Sequence, residues 1–135
     1  MVELTEDVQR FIDEPNLAIF VTLMKDGSPQ VTPVWVDHDG THVLINTAEG
    51  RQKPRNLARD SRVAMSIVDN DNLYKYVQIR GKVVEITRAG AWEHINKLAR
   101  KYRGADTKYP ERPGEQRIII KILPEYVSEW GANRR

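Results

Sequence analysis

NTAEGRQKPRNLARD, Asn46 to Asp60, is the polar stretch on which the reading of this chain turns. Arg51, Lys53 and Arg55 alternate along it, and Pro54 suits the first turn of a helix, where its missing N–H leaves no bond unmade. Leu57 and Ala58 add a small apolar face to that helix. The basic side chains therefore sit in a loop opening onto a helix N-terminus, where unpaired backbone N–H groups and the helix dipole favour an anion. Guanidinium groups add paired bonds to phosphate oxygens and lysine adds a compact charge. Chemically this is a phosphate seat. A basic run taken alone is more often solvated surface, so the segments on either side decide.

On the N-terminal side, Thr5 caps a short amphipathic helix through Val8, Phe11 and Ile12 that ends before Pro15. Leu17 to Met24, rich in apolar and β-branched residues, reads as a strand closed by the Asp26-Gly27 turn. Gln30 to Asp37 is a second strand, with Pro33 requiring an edge or a bulge because proline cannot donate to a ladder. After the His38-Asp39-Gly40 turn, Thr41 to Thr47 is a third. On the C-terminal side, Arg62 to Val68 and Tyr74 to Thr87 are the fourth and fifth, with Gly81 marking a bend. A helix capped by Thr87 follows over 88–103, with Trp92, Ile95, Ala99 and Tyr102 on one stripe. Gly104 to Glu115 is a loop, Gln116 to Leu123 the sixth strand, and Pro124 to Trp130 a tail. A meander, one helix and a returning strand make a mainly β fold: a partly closed antiparallel barrel of six strands with flanking helices, not a doubly wound sheet.

Composition sets the outer limits. At 135 residues, 40% hydrophobic and 30% charged, the chain fits one globular domain over 1–135. The longest apolar runs, such as Ile118 to Ile120, fall far short of the ~20 residues of a spanning helix. The acidic N-terminus lacks the order of a secretory signal, so the expected location is the cytoplasm, with no membrane partner. The absence of cysteine excludes disulfides, thiolate metal sites and cysteine nucleophiles. With a formal net charge of only +2, and no aromatic residues interleaved with the basic loop, nucleic acid is not an expected partner.

The order strand, Asn46-Thr47, Gly50-Arg51-x-Lys53-x-Arg55-Asn56-Leu57, helix, strand resembles the pyridoxamine 5'-phosphate oxidase-like family of split β-barrels, whose domain is FMN-binding-like. The likeness covers nearly the whole chain, from Ala18 to Leu23, through Pro33-Val34-Trp35, to Gln78–Val84. Within the family it looks like the coenzyme F420-dependent branch, which handles a deazaflavin where others use FMN. The resemblance implies that Arg51, Lys53 and Arg55 hold the cofactor phosphate with Asn56 as a supporting donor. It implies that Asn46 and Thr47 face the ribityl chain or phosphate, and that Pro33, Val34 and Trp35 lie along the ring. FMN-type oxidases carry Ser-Arg-Lys in sequence, whereas Gln52 here separates Arg51 from Lys53; coenzyme F420 is therefore the expected cofactor and FMN the alternative. No pyridoxal-phosphate signature is visible near the C-terminus.

The implied activity is hydride transfer from the reduced cofactor to a conjugated small molecule such as an enone, quinone or tetrapyrrole. The alternative on the same barrel is a non-catalytic flavin or haem carrier. No catalytic side chain and no metal site is assigned, since His38, His42 and His94 lack ligand spacing and read as turn, strand-face and helix-surface residues. Tyr74, Tyr76 and Tyr126 stand as undivided candidates for the proton source, and Lys75, Arg80, Lys108 and Arg112 for further contacts to an anionic tail. Family members of this size resemble homodimers with the cofactor between subunits, and Trp35, Trp92 and Trp130 offer aromatic surface to bury.

Overall fold

The computed structural model describes residues 2–131. The elements run α1 (Glu6–Asp13), β1 (Leu17–Leu23), β2 (Pro29–Val34), β3 (Asp37–His38), β4 (Val43–Ala48), α2 (Gln52–Arg59), β5 (Arg62–Val68), β6 (Tyr76–Thr87), α3 (Ala91–Arg103) and β7 (Arg117–Trp130). At the start, the Thr5 hydroxyl accepts from the Val8 N–H at 3.2 Å, as its capping position requires, and α1 buries Val8, Phe11 and Ile12.

All strand pairs are antiparallel, in the order β2-β1-β5-β6-β7-β4-β3. The two edge strands are neighbours in the chain: β2 ends at Val34 and β3 starts at Asp37. Three residue steps reach at most ~11 Å, so a sheet with seven strands among the described residues must curl until its edges nearly meet. Among the described residues the two edges do not pair, and the barrel stays split between β2 and the edge formed by short β3 and the end of β4 beyond it. The sequence reading of one strand over 30–37 fails at Trp35-Val36 for this reason, where the chain leaves one edge and crosses to the other. Seven strands replace six.

Inside the barrel, alternate residues of β1, β5 and β6 pack with α1: Ala18, Phe20, Val63, Met65, Ile67, Val77 and Ile79 share one core with Val8, Phe11 and Ile12. β4 and β7 are buried on both faces because α3 covers them from outside, where Leu44, Ile119 and Ala91 meet. Gly81 is the bend foreseen in β6. A Cβ there would lie 2.3 Å from the Leu123 carbonyl oxygen, and the β6–β7 register shifts between Arg80 and Gly81. The segment read as a tail, Pro124 to Trp130, instead completes β7 and pairs with Tyr76–Gly81, because so long a β6 needs a partner along its whole length. At α3 the cap is Gly90 in the left-handed region, not Thr87, whose hydroxyl accepts from the Ala89 N–H within the preceding turn.

Candidate functional site: a cationic groove in the barrel split

The split opens as a groove of about 410 Å³, within the range that takes a small ligand or cofactor. One wall is Pro33, Val34 and Trp35; the other is Asn46 and Thr47 of β4. Arg51 and Lys53 add two cations, while Leu17 of β1, Ile95 and Arg103 of α3, Tyr109 of the loop before β7 and Arg117 of β7 complete the lining. A smaller cleft of about 170 Å³ lies elsewhere, beside α1, among Arg10, Glu14, Lys75 and Glu129, and holds none of the motif.

The helix that carries the cations begins at Gln52, inside the stretch read as a loop. Arg51 is the N-cap of α2, so Lys53 and Arg55 stand on the helix itself. Asn56 anchors it. Fully buried, its amide donates to Thr22 on β1 at 2.9 Å and accepts from Gln52 and Arg59 at 2.8 and 3.0 Å. Asn56 is thus occupied beneath the helix and does not line the groove, while Arg55 points to solvent and bonds Gln52 at 2.7 Å. Seven of the nine residues singled out in the sequence converge on the groove; Asn56 and Arg55 do not, because helical periodicity turns them to other faces.

Lys53 donates to the Thr32 hydroxyl at 3.3 Å, and burial followed by the charge of Arg51 lowers its pKa. The carboxylate serving these cations is Glu115, 3.7 Å from Arg51 and 3.0 Å from the buried Arg117. One carboxylate is shared by two guanidiniums, and among the described residues Lys53 and Arg103 have no acidic partner within ion-pair distance. Thr47 adds a second mark of an absent ligand: its hydroxyl is the buried side-chain polar atom that has no hydrogen-bond partner among the described residues. An anion bearing hydrogen-bond acceptors would satisfy both.

Trp35 is held rigidly. It stacks on Tyr102 at 5.3 Å with 7° between planes, meets Tyr109 edge-on at 6.2 Å, and carries the Arg103 guanidinium 4.9 Å from its ring. Tyr102 in turn donates to the Asn16 carbonyl and accepts from the Val36 N–H, with burial first among the causes that push its hydroxyl up to about 12.

The family model described as pyridoxamine 5'-phosphate oxidase matches residues 4–131, the span that builds the barrel and both walls of the split. The chain belongs to the pyridoxamine 5'-phosphate oxidase family. A solved F420 reductase is 32% identical and superposes with a TM-score of 0.79, covering 89% of this chain and 94% of that one. An F420H(2)-dependent biliverdin reductase of Mycobacterium tuberculosis (strain CDC 1551 / Oshkosh) is 28% identical over 131 residues, 92% of this chain and 86% of that protein. General Stress Protein 26 from Bacillus anthracis str. Sterne shares the fold at 15% identity and a TM-score of 0.71, over 93% and 92% of the two chains.

In this pyridoxamine 5'-phosphate oxidase family member five groove residues escaped sequence reasoning as site residues: the apolar Leu17 and Ile95, and Arg103, Tyr109 and Arg117. Arg103 ends a helix whose last turn is basic, Tyr109 sits in a loop rich in proline, and Arg117 precedes an isoleucine run. Only the last carried a signal, a charge opening an otherwise apolar buried strand. None of the four cations named for a tail lines the groove: Lys75 lies 3.8 Å from Asp69, Arg80 stacks on Tyr126, and Lys108 and Arg112 lie outside the lining. Among tyrosines, the groove presents Tyr109 and not Tyr74, Tyr76 or Tyr126. His94 is also not a surface residue; it is 9% exposed and bonded to Asp37 at 3.0 Å. No helix among the described residues is long and apolar enough to cross a membrane.

Proposed function

We propose that this protein is a coenzyme F420-dependent oxidoreductase that reduces a conjugated electrophilic small molecule in the split of its barrel, working as a homodimer that closes the groove. The observation that carries the proposal is the coincidence, in one groove, of two cations lacking acidic partners with the orphaned Thr47 hydroxyl. The names of the F420 reductase and of the biliverdin reductase support the choice of cofactor.

In this reading Lys53 and Arg51 hold the cofactor phosphate, and Thr47 donates its free hydroxyl to it. Pro33, Val34 and Trp35 offer a flat apolar wall to the ring, kept in place by the Trp35–Tyr102 stack. When bound, the reduced deazaflavin supplies a hydride, so the chain needs no nucleophile of its own. Its residues position ring and substrate, and Tyr109 is the phenol at hand for proton delivery. Arg103 lies over Trp35, which follows Thr32, the partner of Lys53, by three residues; it suits an anionic substituent of substrate or tail. Val84 and Ile86, exposed on one face of β6, together with Tyr126 and Trp130, form apolar surface for a second copy to cover.

Titrating the apo-protein with coenzyme F420 and with FMN, followed by fluorescence, tests the cofactor. Tighter binding of coenzyme F420 is expected; exclusive binding of FMN overturns that assignment, and binding of neither overturns the site. Oxidation of the bound reduced cofactor by a panel of enones, quinones and tetrapyrroles tests the reaction, where inertness to all of them means a carrier. A monomer in sedimentation at micromolar concentration refutes the dimer.

A further inference from the structure

Asp37 and His94 form a buried ionisable pair near the groove, yet neither lines it. Asp37 is 4% exposed on β3 and His94 is 9% exposed on α3, with His94 Nε2 3.0 Å from Asp37 Oδ2. An apolar pair could fill this space without the cost of desolvating a carboxylate. What the pair does instead follows from counting hydrogens.

Asn46, on the groove wall, has its amide Nδ2 2.8 Å from the Ala91 carbonyl and 3.1 Å from His94 Nδ1, while its Oδ1 lies 2.9 Å from Arg117 Nε. The Ala91 carbonyl can only accept and Arg117 can only donate, so the amide orientation is forced. Both Nδ2 hydrogens are then used, one on Ala91 and one on His94. His94 Nδ1 must therefore be bare, and the ring proton sits on Nε2, donated to Asp37. Towards the groove, Asn46 keeps one free lone pair on Oδ1 and no hydrogen. It meets a ligand hydroxyl or N–H, not a phosphate oxygen, which divides the wall: Thr47 with Lys53 for the anion, Asn46 for a donor.

We infer that His94, oriented by Asp37, is a positioning residue that completes the hold on Asn46, whose acceptor orientation Ala91 and Arg117 set, so that a proton gained at Nδ1 opposes the Asn46 amide, shifts it in the groove wall and loosens the hold on the cofactor. The inference rests on the cofactor reading above. With a proton on Nδ1, two donors face each other across 3.1 Å. Turning the Asn46 amide over does not help, because its oxygen would then oppose the Ala91 carbonyl and its nitrogen would oppose Arg117. The charges around the ring are those of several elements. β3 supplies Asp37, which Lys97 of α3 also bonds at 3.1 Å. Lys101 of α3 acts on Asp37 through its charge and donates to the Ile12 and Val36 carbonyls. β7 supplies Arg117, one hydrogen bond beyond Asn46 and neutralised by Glu115. From α1, Asp13 is bonded to His38. The carboxylate that touches His94 is thus already shared with a lysine.

Two substitutions separate positioning from bulk. In His94→Asn the new Oδ1 falls near the place of Nδ1 and accepts from Asn46 but cannot titrate. In His94→Gln the new amide reaches towards Asp37 and leaves one Asn46 Nδ2 hydrogen without its acceptor, so that only Ala91 and Arg117 hold the amide. For the wild-type protein, the affinity for coenzyme F420 is expected to fall on acidification, by up to about tenfold per pH unit. His94→Asn should keep the neutral-pH affinity and lose this slope, and His94→Gln should bind weakly throughout. A flat wild-type profile overturns the inference, as does an identical slope in His94→Asn, which assigns the slope to the ligand or another group. Nitrogen NMR of the ligand-free wild-type protein gives a readout independent of the cofactor. A proton on Nε2 at neutral pH, with the Asn46 amide signal moving together with those of the His94 ring on acidification, is expected. A proton on Nδ1 or an Asn46 signal that does not follow the ring signals overturns the inference, even if His94→Asn does not fold. Absence of coenzyme F420 binding at every pH strikes the cofactor reading instead and leaves the NMR result to decide this one.

Discussion

Replacing Lys53 is expected to move ligand affinity and apo-protein stability by very different amounts. In the ligand-free chain the Lys53 ammonium is half-buried, bonds a neutral hydroxyl at 3.3 Å, and is held below its ordinary pKa by burial and then by Arg51. Removing that charge relieves a repulsion, while truncation to alanine gives up part of a half-buried alkyl stem, on the order of 1 kcal/mol. The two nearly offset, so Lys53→Ala should change unfolding free energy by about 1 kcal/mol or less. Lys53→Met keeps the stem and should match or exceed the wild type. Binding is another matter, because a charge-assisted bond to a phosphate is worth about 1.5–3 kcal/mol, or roughly tenfold to over a hundredfold in Kd. The assays are fluorescence titration with coenzyme F420 at two salt concentrations and urea unfolding of the same samples. The wild type should lose affinity with salt more steeply than either variant. The pH dependence has a definite sign: a base with a lowered folded pKa leaves the unfolded chain holding more protons above that pKa. Wild-type apo stability should therefore rise relative to Lys53→Met as pH climbs from there towards the unfolded value of about 10.4. A Kd within about twofold of wild type in a folded variant would refute the anion seat, and so would a stability loss of about 3 kcal/mol, which would make Lys53 a structural residue.

Three further changes probe other parts of the argument. Thr47→Val removes the buried hydroxyl that lacks a partner; apo stability should hold or gain up to about 1 kcal/mol while cofactor affinity drops roughly three- to tenfold, read by the same two assays. Gly81→Ala puts a methyl 2.3 Å from the Leu123 carbonyl oxygen, and urea unfolding should show a loss of about 3 kcal/mol or more. Asp37 is pushed up by burial but held below the ordinary carboxylate range by bonds from His94, the His38 N–H and Lys97. Its stabilisation is present above the unfolded value of about 3.9 and fades as pH falls towards the folded one. Asp37→Asn should cost on the order of 3 kcal/mol at neutral pH and flatten that part of the acid limb; an acid limb unchanged from wild type would count against the pairing.

The chain by itself determined its local elements and the contiguous half of the site. Period-two alternation in Leu17–Leu23 and Arg62–Val68, the Asp26-Gly27 turn and the Thr5 cap are each decided within a few residues, because steric and hydrogen-bond preferences act at that range. The motif from Asn46 to Lys53 and the Pro33-Val34-Trp35 run are equally readable, since each places its side chains from one short segment. Tertiary structure decided everything that depends on which strands close the barrel. The break at Trp35-Val36, the pairing of Pro124–Trp130 with β6 and the depth of the groove exist only once β2 and β3 become opposite edges of one sheet. Arg103, Tyr109 and Arg117 reach the groove from α3, a loop and β7, and Asp37, His94 and Asn46 meet across 57 and 48 residues of chain. Pairing between distant segments is set by the sum of all burial and register terms, so no window along the chain contains it.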